Sequence, residues 1–157
     1  MPIDIAFADP RWRRVPKLVK CIEQIHAISL TKNMRTKLTA VLLTNDSTLQ
    51  KLNSQWRGKK KPTNVLSFPA AALKVPRGEL KPLGDVALAY ETCAKEAKAA
   101  GKTLGDHTSH LVVHGLLHLA AYDHENDVDA ARMEAKEIRI LAKLGITNPY
   151  VLVEGHE

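Results

Sequence analysis

The chain has 157 residues, 23 of them Lys or Arg against 17 Asp or Glu, for a net charge of +6; that length fits one domain, residues 1–157, burying about 68–70% of its unfolded surface without cross-links. Its cysteines, Cys21 and Cys93, lie in apolar-periodic stretches without Cys-x-x-Cys spacing, which argues against a disulfide framework or a thiolate metal site and fits a reducing cytoplasm. No segment approaches the roughly 18–20 apolar residues that cross a bilayer, and Met1-Pro2-Ile3-Asp4 does not open a secretory signal, so a soluble protein with no membrane partner is expected.

Ile3 to Phe7 alternates apolar and polar residues as a half-buried strand does, and Asp9-Pro10 ends it. Leu18, Val19, Ile22, Ile25, His26 and Ser29 repeat at helical spacing and predict an amphipathic helix over about 16–30, with Pro16 in its first turn. Lys37 to Thr44 is strand-like. Asn45 or Asp46 caps the next helix, which carries Leu49, Leu52 and Trp56 on one side and stops at Gly58. A basic loop follows, Lys59-Lys60-Lys61-Pro62-Thr63, then a short strand, Val65 to Phe68, closed by Pro69. Residues 70–82 form a long connection broken by proline and glycine, a length that is usually functional. Asp85 to Ala89 reads as a strand and Tyr90 to Ala100 as a helix stopped by Gly101. Two more helices follow, at about 106–120 with Asp106 or Thr108 as cap, and from Val128 to Leu144 with Asn126 or Asp127 as cap. About four strands and about five helices make an α/β (α+β) domain, a small mixed sheet covered by helices.

The basic residues cluster at Arg11-Trp12-Arg13-Arg14 and Arg57-Gly58-Lys59-Lys60-Lys61. A polyanionic partner accounts for that pattern, and a solvated surface accounts for it equally well.

The stretch that carries chemistry is His114-Gly115-Leu116-Leu117-His118-Leu119-Ala120-Ala121-Tyr122-Asp123-His124. Residues four apart on a helix lie one turn above each other, about 5–6 Å apart, so His114 and His118 reach one ion. A residue ten positions after His114 would stand about 15 Å along a continuous helix, so His124 joins only if the chain turns after Ala120 or Ala121. Three imidazoles with an open fourth position are a common catalytic zinc site. With seven histidines, chance gives this triplet in roughly one in seventy such sequences, and core or surface histidines remain the bland explanation. A straight triad of His110, His114 and His118 spans about 12 Å, too long for one tetrahedral ion. His110 is expected behind the ligands or in the core, and His107 exposed. Asp123 serves as a turn residue or orients an imidazole. The spacing matches the metzincin proteases, but Gly115 stands where those enzymes carry the glutamate that activates water, which argues against a peptidase.

Leu52-Asn53-Ser54-Gln55-Trp56-Arg57, Pro62-Thr63-Asn64-Val65-Leu66-Ser67-Phe68-Pro69, Gly84-Asp85-Val86 and the histidine stretch occur in that order, followed by Met133-Glu134-Ala135-Lys136-Glu137 and Asn148-Pro149-Tyr150. Together they resemble the YbeY family, bacterial metal-dependent endoribonucleases of ribosomal RNA maturation. The resemblance implies one zinc ion per chain on His114, His118 and His124, with Arg57 and His114 catalytic. It also implies Arg57, Lys59, Lys60, Lys61 and Ser67 on the substrate. The implied partners are RNA, chiefly ribosomal RNA, and the ribosome or its small subunit; the implied work is 16S rRNA 3′ end processing and ribosome quality control in the cytoplasm. Two positions depart from the family pattern: Asn64 stands for an aspartate near the presumed cleft, and Ala121 for a glycine at the expected chain reversal.

The chemistry expected is metal-assisted hydrolysis of a phosphodiester, with zinc lowering the pKa of water toward about 7 and Arg57 gripping phosphate oxygens through paired hydrogen bonds. As a helix-end charge alone, Arg57 is worth about 0.3–1 kcal/mol. No protein base is evident, and attack by the RNA 2′-hydroxyl is an alternative. Two other functions fit the same residues: a ribosome-associated RNA-binding assembly factor with structural zinc, and a zinc hydrolase of a small amide or ester.

Overall fold

A computed structural model of the chain describes residues 3–57, 63–69, 82–120 and 127–150, the side chains of 56, 57, 69 and 127 excepted. Lys59, Lys60, Lys61, the connection 70–81, Ala121 and the third histidine, His124, lie outside the described residues. The strands are β1 (Ile3–Phe7), β2 (Leu38–Thr44), β3 (Val65–Pro69) and β4 (Pro82–Ala89). The helices are α1 (Leu18–Ser29), α2 (Asp46–Arg57), α3 (Tyr90–Ala99), α4 (Leu104–Leu119) and α5 (Asp127–Lys143), with 3-10 turns at Pro10–Arg14 and Met34–Thr36.

The sheet has the order β1-β2-β4-β3. β1, β2 and β4 run parallel, and β3 returns antiparallel to β4 at the edge. The mixed sheet with helices is the α/β (α+β) architecture expected. Side chains alternate across the strands and divide the core in two. Val41, Leu43, Val86 and Leu88 pack with Ile22 and Ile25 of α1, Val112, Leu116 and Leu117 of α4, and Met133, Ile140 and Leu141 of α5. Leu66, Phe68, Ala87 and Ala89 face the other way, against Leu49 of α2. Full burial of a leucine such as Leu116 is worth about 1.5–3 kcal/mol, so the α1/α4/α5 side holds most of the stability.

The local signals mostly act where the sequence puts them. Asn45 Oδ1 accepts from the Thr48 amide at 2.9 Å and caps α2. Asp46 then caps the neighbouring α3, accepting from the Thr92 amide and hydroxyl, while Glu91 accepts from the Asp46 amide. Two helix starts thus satisfy one another's orphan amides. Two starts differ from expectation. The cap of α4 is Thr103, whose hydroxyl accepts from the Asp106 amide at 3.1 Å; Thr108 is buried inside the helix. α1 begins at Leu18, after Pro16, because Lys17 adopts a left-handed φ of 57° and turns the chain first.

Candidate metal centre

α4 rests closely on the sheet because Gly115 has no side chain. A Cβ there would lie 2.9 Å from Val86 Cγ1 and 3.1 Å from Ser67 Oγ. The Ser67 hydroxyl donates to the Gly115 carbonyl at 3.1 Å, tying β3 to the helix. Gly84 repeats the device one turn on: its missing Cβ makes room for Leu119, whose Cδ2 would otherwise stand 2.6 Å away. Asp85, in the same motif, is fully buried on the α2 side of the sheet.

With Leu111, Val112, Leu116 and Leu117 turned to the core, His114 and His118 share another stripe of α4. Their ring centroids lie 4.7 Å apart and their Nε2 atoms 3.1 Å apart. Two imidazole nitrogens on one tetrahedral zinc, at about 2.0–2.1 Å each, stand about 3.3 Å apart. The pair therefore fits an ion with a shift of a few tenths of an ångström. His118 is in the last turn of α4, where the negative end of the helix dipole favours a cation. Among the described residues no group of three His, Cys, Asp or Glu side chains has metal-site geometry.

The feature that sets His114 apart lies on α5. Its Nδ1 meets Glu137 Oε2 at 2.6 Å, and Glu137 is fully buried. Glu137 Oε1 is met by His110 Nε2 at 2.9 Å and by the Tyr150 hydroxyl. Burial opposes ionisation of Glu137, but the hydrogen bonds from His110, His114 and Tyr150 outweigh it and bring the carboxyl down to about 2. An ionised carboxylate only accepts, so the proton of neutral His114 sits on Nδ1 and the lone pair on Nε2, facing His118. That is the carboxylate–histidine arrangement which orients a metal ligand and raises its basicity. His110 spends its Nε2 on Glu137, the same carboxylate that holds His114.

A model of the endoribonuclease YbeY family matches residues 9–145. The chain belongs to the YbeY family. Curated YbeY endoribonucleases are similar over most of its length: that of Ruegeria pomeroyi is 42% identical, covering 97% of this chain and 99% of its own. That of Bradyrhizobium diazoefficiens is 49% identical, covering 88% of this chain and 79% of its own. The solution structure of TM1509 from Thermotoga maritima shares the fold, with a TM-score of 0.55 at 21% identity over 98% of both chains.

Of the other residues that the YbeY resemblance brings forward, Arg57 ends α2. α2 starts beside the first turn of α3, where Asp46 accepts from Thr92, and packs on the sheet through Leu49 and Leu52. Asn64, the first departure from the YbeY pattern, donates from Nδ2 to Glu96 Oε1 at 2.9 Å, a bond an aspartate could not make. The same oxygen meets His107 Nε2 at 3.0 Å. His107 is therefore not exposed as expected; its side chain is 13% accessible because Glu96 draws it in. Glu137 was not singled out from the sequence as a site residue, though a signal was there. It lies four residues after Met133 and three and four before Ile140 and Leu141, a carboxylate on the buried stripe of α5. Tyr150 gave no comparable sign.

Proposed function

We propose that this chain, an endoribonuclease by family, cuts single-stranded RNA at one zinc ion held by His114, His118 and His124. Its work is ribosomal RNA maturation in the cytoplasm, including 16S 3′ end processing and ribosome quality control, on or beside the small ribosomal subunit. The observation that carries the reading is the His114–His118 pair at 3.1 Å, backed by a buried carboxylate on His114 Nδ1.

Zinc bound there supplies Lewis acidity, lowering the pKa of water toward about 7 and attracting phosphate oxygen. The chain's own residues do the rest. Glu137 holds His114 in the Nδ1–H form, so that Nε2 stays a donor atom throughout. His118 adds a second nitrogen from the helix end. Arg57 keeps its charge at every working pH and grips phosphate oxygens as negative charge grows, while Lys59, Lys60 and Lys61 extend the positive surface along the strand. Ser67 supports the site from below, through the α4 backbone.

Labelled single-stranded RNA incubated with untagged protein, with and without chelator, tests this while circular dichroism follows the fold. Cleavage lost on chelation and restored by zinc is expected; cleavage by folded, metal-free protein overturns it. RNA that is bound but never cut would assign the chain to the assembly factors with structural zinc. Arg57→Ala is expected to lower turnover about 10²-fold or more with zinc content intact, and equal loss of zinc would make Arg57 structural. A 2′,3′-cyclic phosphate on the product would identify the 2′-hydroxyl, rather than water, as nucleophile.

A further inference from the structure

We infer that Tyr150, which is on neither α4 nor α5, is a positioning residue for the metal site, acting through Glu137 on His114. The inference rests on His114 being a ligand, as proposed above. The Tyr150 hydroxyl donates to Glu137 Oε1, the oxygen that His110 Nε2 also reaches at 2.9 Å. With that oxygen occupied by two donors, Oε2 is left to His114 Nδ1. A carboxylate held at one oxygen only by His110 can rotate about its last bond and take its second oxygen away from His114; the tyrosine blocks that rotation. Its ring stands edge-on to His110 at 5.4 Å between centroids, fixing the third member of the cluster as well.

The residue is itself held from outside the cluster. The Tyr150 amide donates to Asn148 Oδ1 at 2.9 Å, and Lys102 Nζ, between α3 and α4, donates to the Pro149 carbonyl at 3.1 Å. The turn Asn148-Pro149-Tyr150 is thus latched over the first half of α4. Tyr150 keeps 45% of its surface exposed, too much for a residue whose purpose is core packing, while its hydroxyl is engaged with a fully buried carboxylate. A side chain with that distribution serves its polar end.

The test uses the full chain and two readouts. In metal-free protein, long-range nitrogen–proton NMR of the histidines reads which ring nitrogen of His114 carries the proton. Wild type is expected to show Nδ1–H alone, and Tyr150→Phe a mixture with Nε2–H. With zinc, competition against a chromogenic chelator is expected to show affinity weakened about 3–10-fold in Tyr150→Phe and about 10–100-fold in Glu137→Gln. Thermal melting of the metal-free Tyr150→Phe protein is expected to stay close to wild type, since the ring remains. Tyr150→Phe with the wild-type tautomer and wild-type zinc affinity overturns the inference. So does weakened affinity accompanied by an equal loss of fold, with the tautomer unchanged. Wild-type protein that binds no zinc, with the tautomer change still present in Tyr150→Phe, would instead defeat the proposed function and leave the Tyr150–Glu137–His114 link standing.

Discussion

Three histidines on helices of this molecule meet three different surroundings. His26 on α1 is fully buried, and neither of its ring nitrogens has a partner among the described residues. His107 on α4 meets Glu96, a carboxylate 41% exposed. His114, two turns further along α4, meets Glu137, which is fully closed off from solvent and held by three donors. Imidazoles with the same intrinsic chemistry therefore become a core side chain, a surface link and a ring oriented by a buried carboxylate. The carboxylate on the far nitrogen makes the difference, more than the histidine's own burial.

Substitutions sharpen that comparison. The largest effect is expected at the proposed ligand: His114→Ala should weaken zinc binding by more than about a hundredfold, beyond the loss of an outer partner, whereas His26→Leu should leave it unchanged. Chelator competition on both purified variants decides it. Equal losses would show that the buried carboxylate is not what distinguishes the two sites.

At the surface link, Asn64→Asp replaces the donor to Glu96 with a like charge. A destabilisation of about 1–2 kcal/mol is expected, smaller at pH 4 than at pH 8 as the carboxyls take up protons. Urea melts at the two pH values measure it, and a variant as stable as wild type would show that Glu96 turns to solvent at no cost.

The smallest effect belongs to His26. Burial, and then the charge of Arg35, hold its pKa below the ordinary value. The unfolded chain therefore takes the proton first. The stability associated with neutral His26 is complete above about pH 6.5 and falls as pH drops through the lower folded value. His26→Leu is expected to flatten that acid limb, and to gain about 1 kcal/mol at pH 8 by removing unpaired polar atoms. Metal-free melts from pH 8 to 5 follow it; parallel wild-type and variant curves would refute the assignment.

Most of the scaffold could be read from the residues. Alternation in Ile3 to Phe7 and the apolar stripes of α1 and α4 report on the chain's immediate neighbourhood, and elements formed there. The placing of α1 escaped because Lys17, an ordinary lysine, takes a left-handed turn that its type does not announce. The helical histidine pair was legible from its spacing. What prepares it was less so, since Glu137 and Tyr150 lie 23 and 36 residues beyond His114 and meet it only through tertiary packing. His26 shows the converse. Its place on the stripe of α1 was visible, but the lack of a partner is a property of the folded surroundings alone.

The contact between Gly115 and the sheet reaches beyond packing. Val86 and Ser67 fill the volume in which any larger residue at that position would have to begin. A glutamate next to the first histidine, the acid–base group of the zinc peptidases with this spacing, cannot be introduced by one codon change while α4 keeps its seat. Lifting the helix to admit it would draw His114 off Glu137. The closeness that seats the helix thus also walls this scaffold off, in evolution and in the hands of an engineer, from peptidase chemistry of that kind.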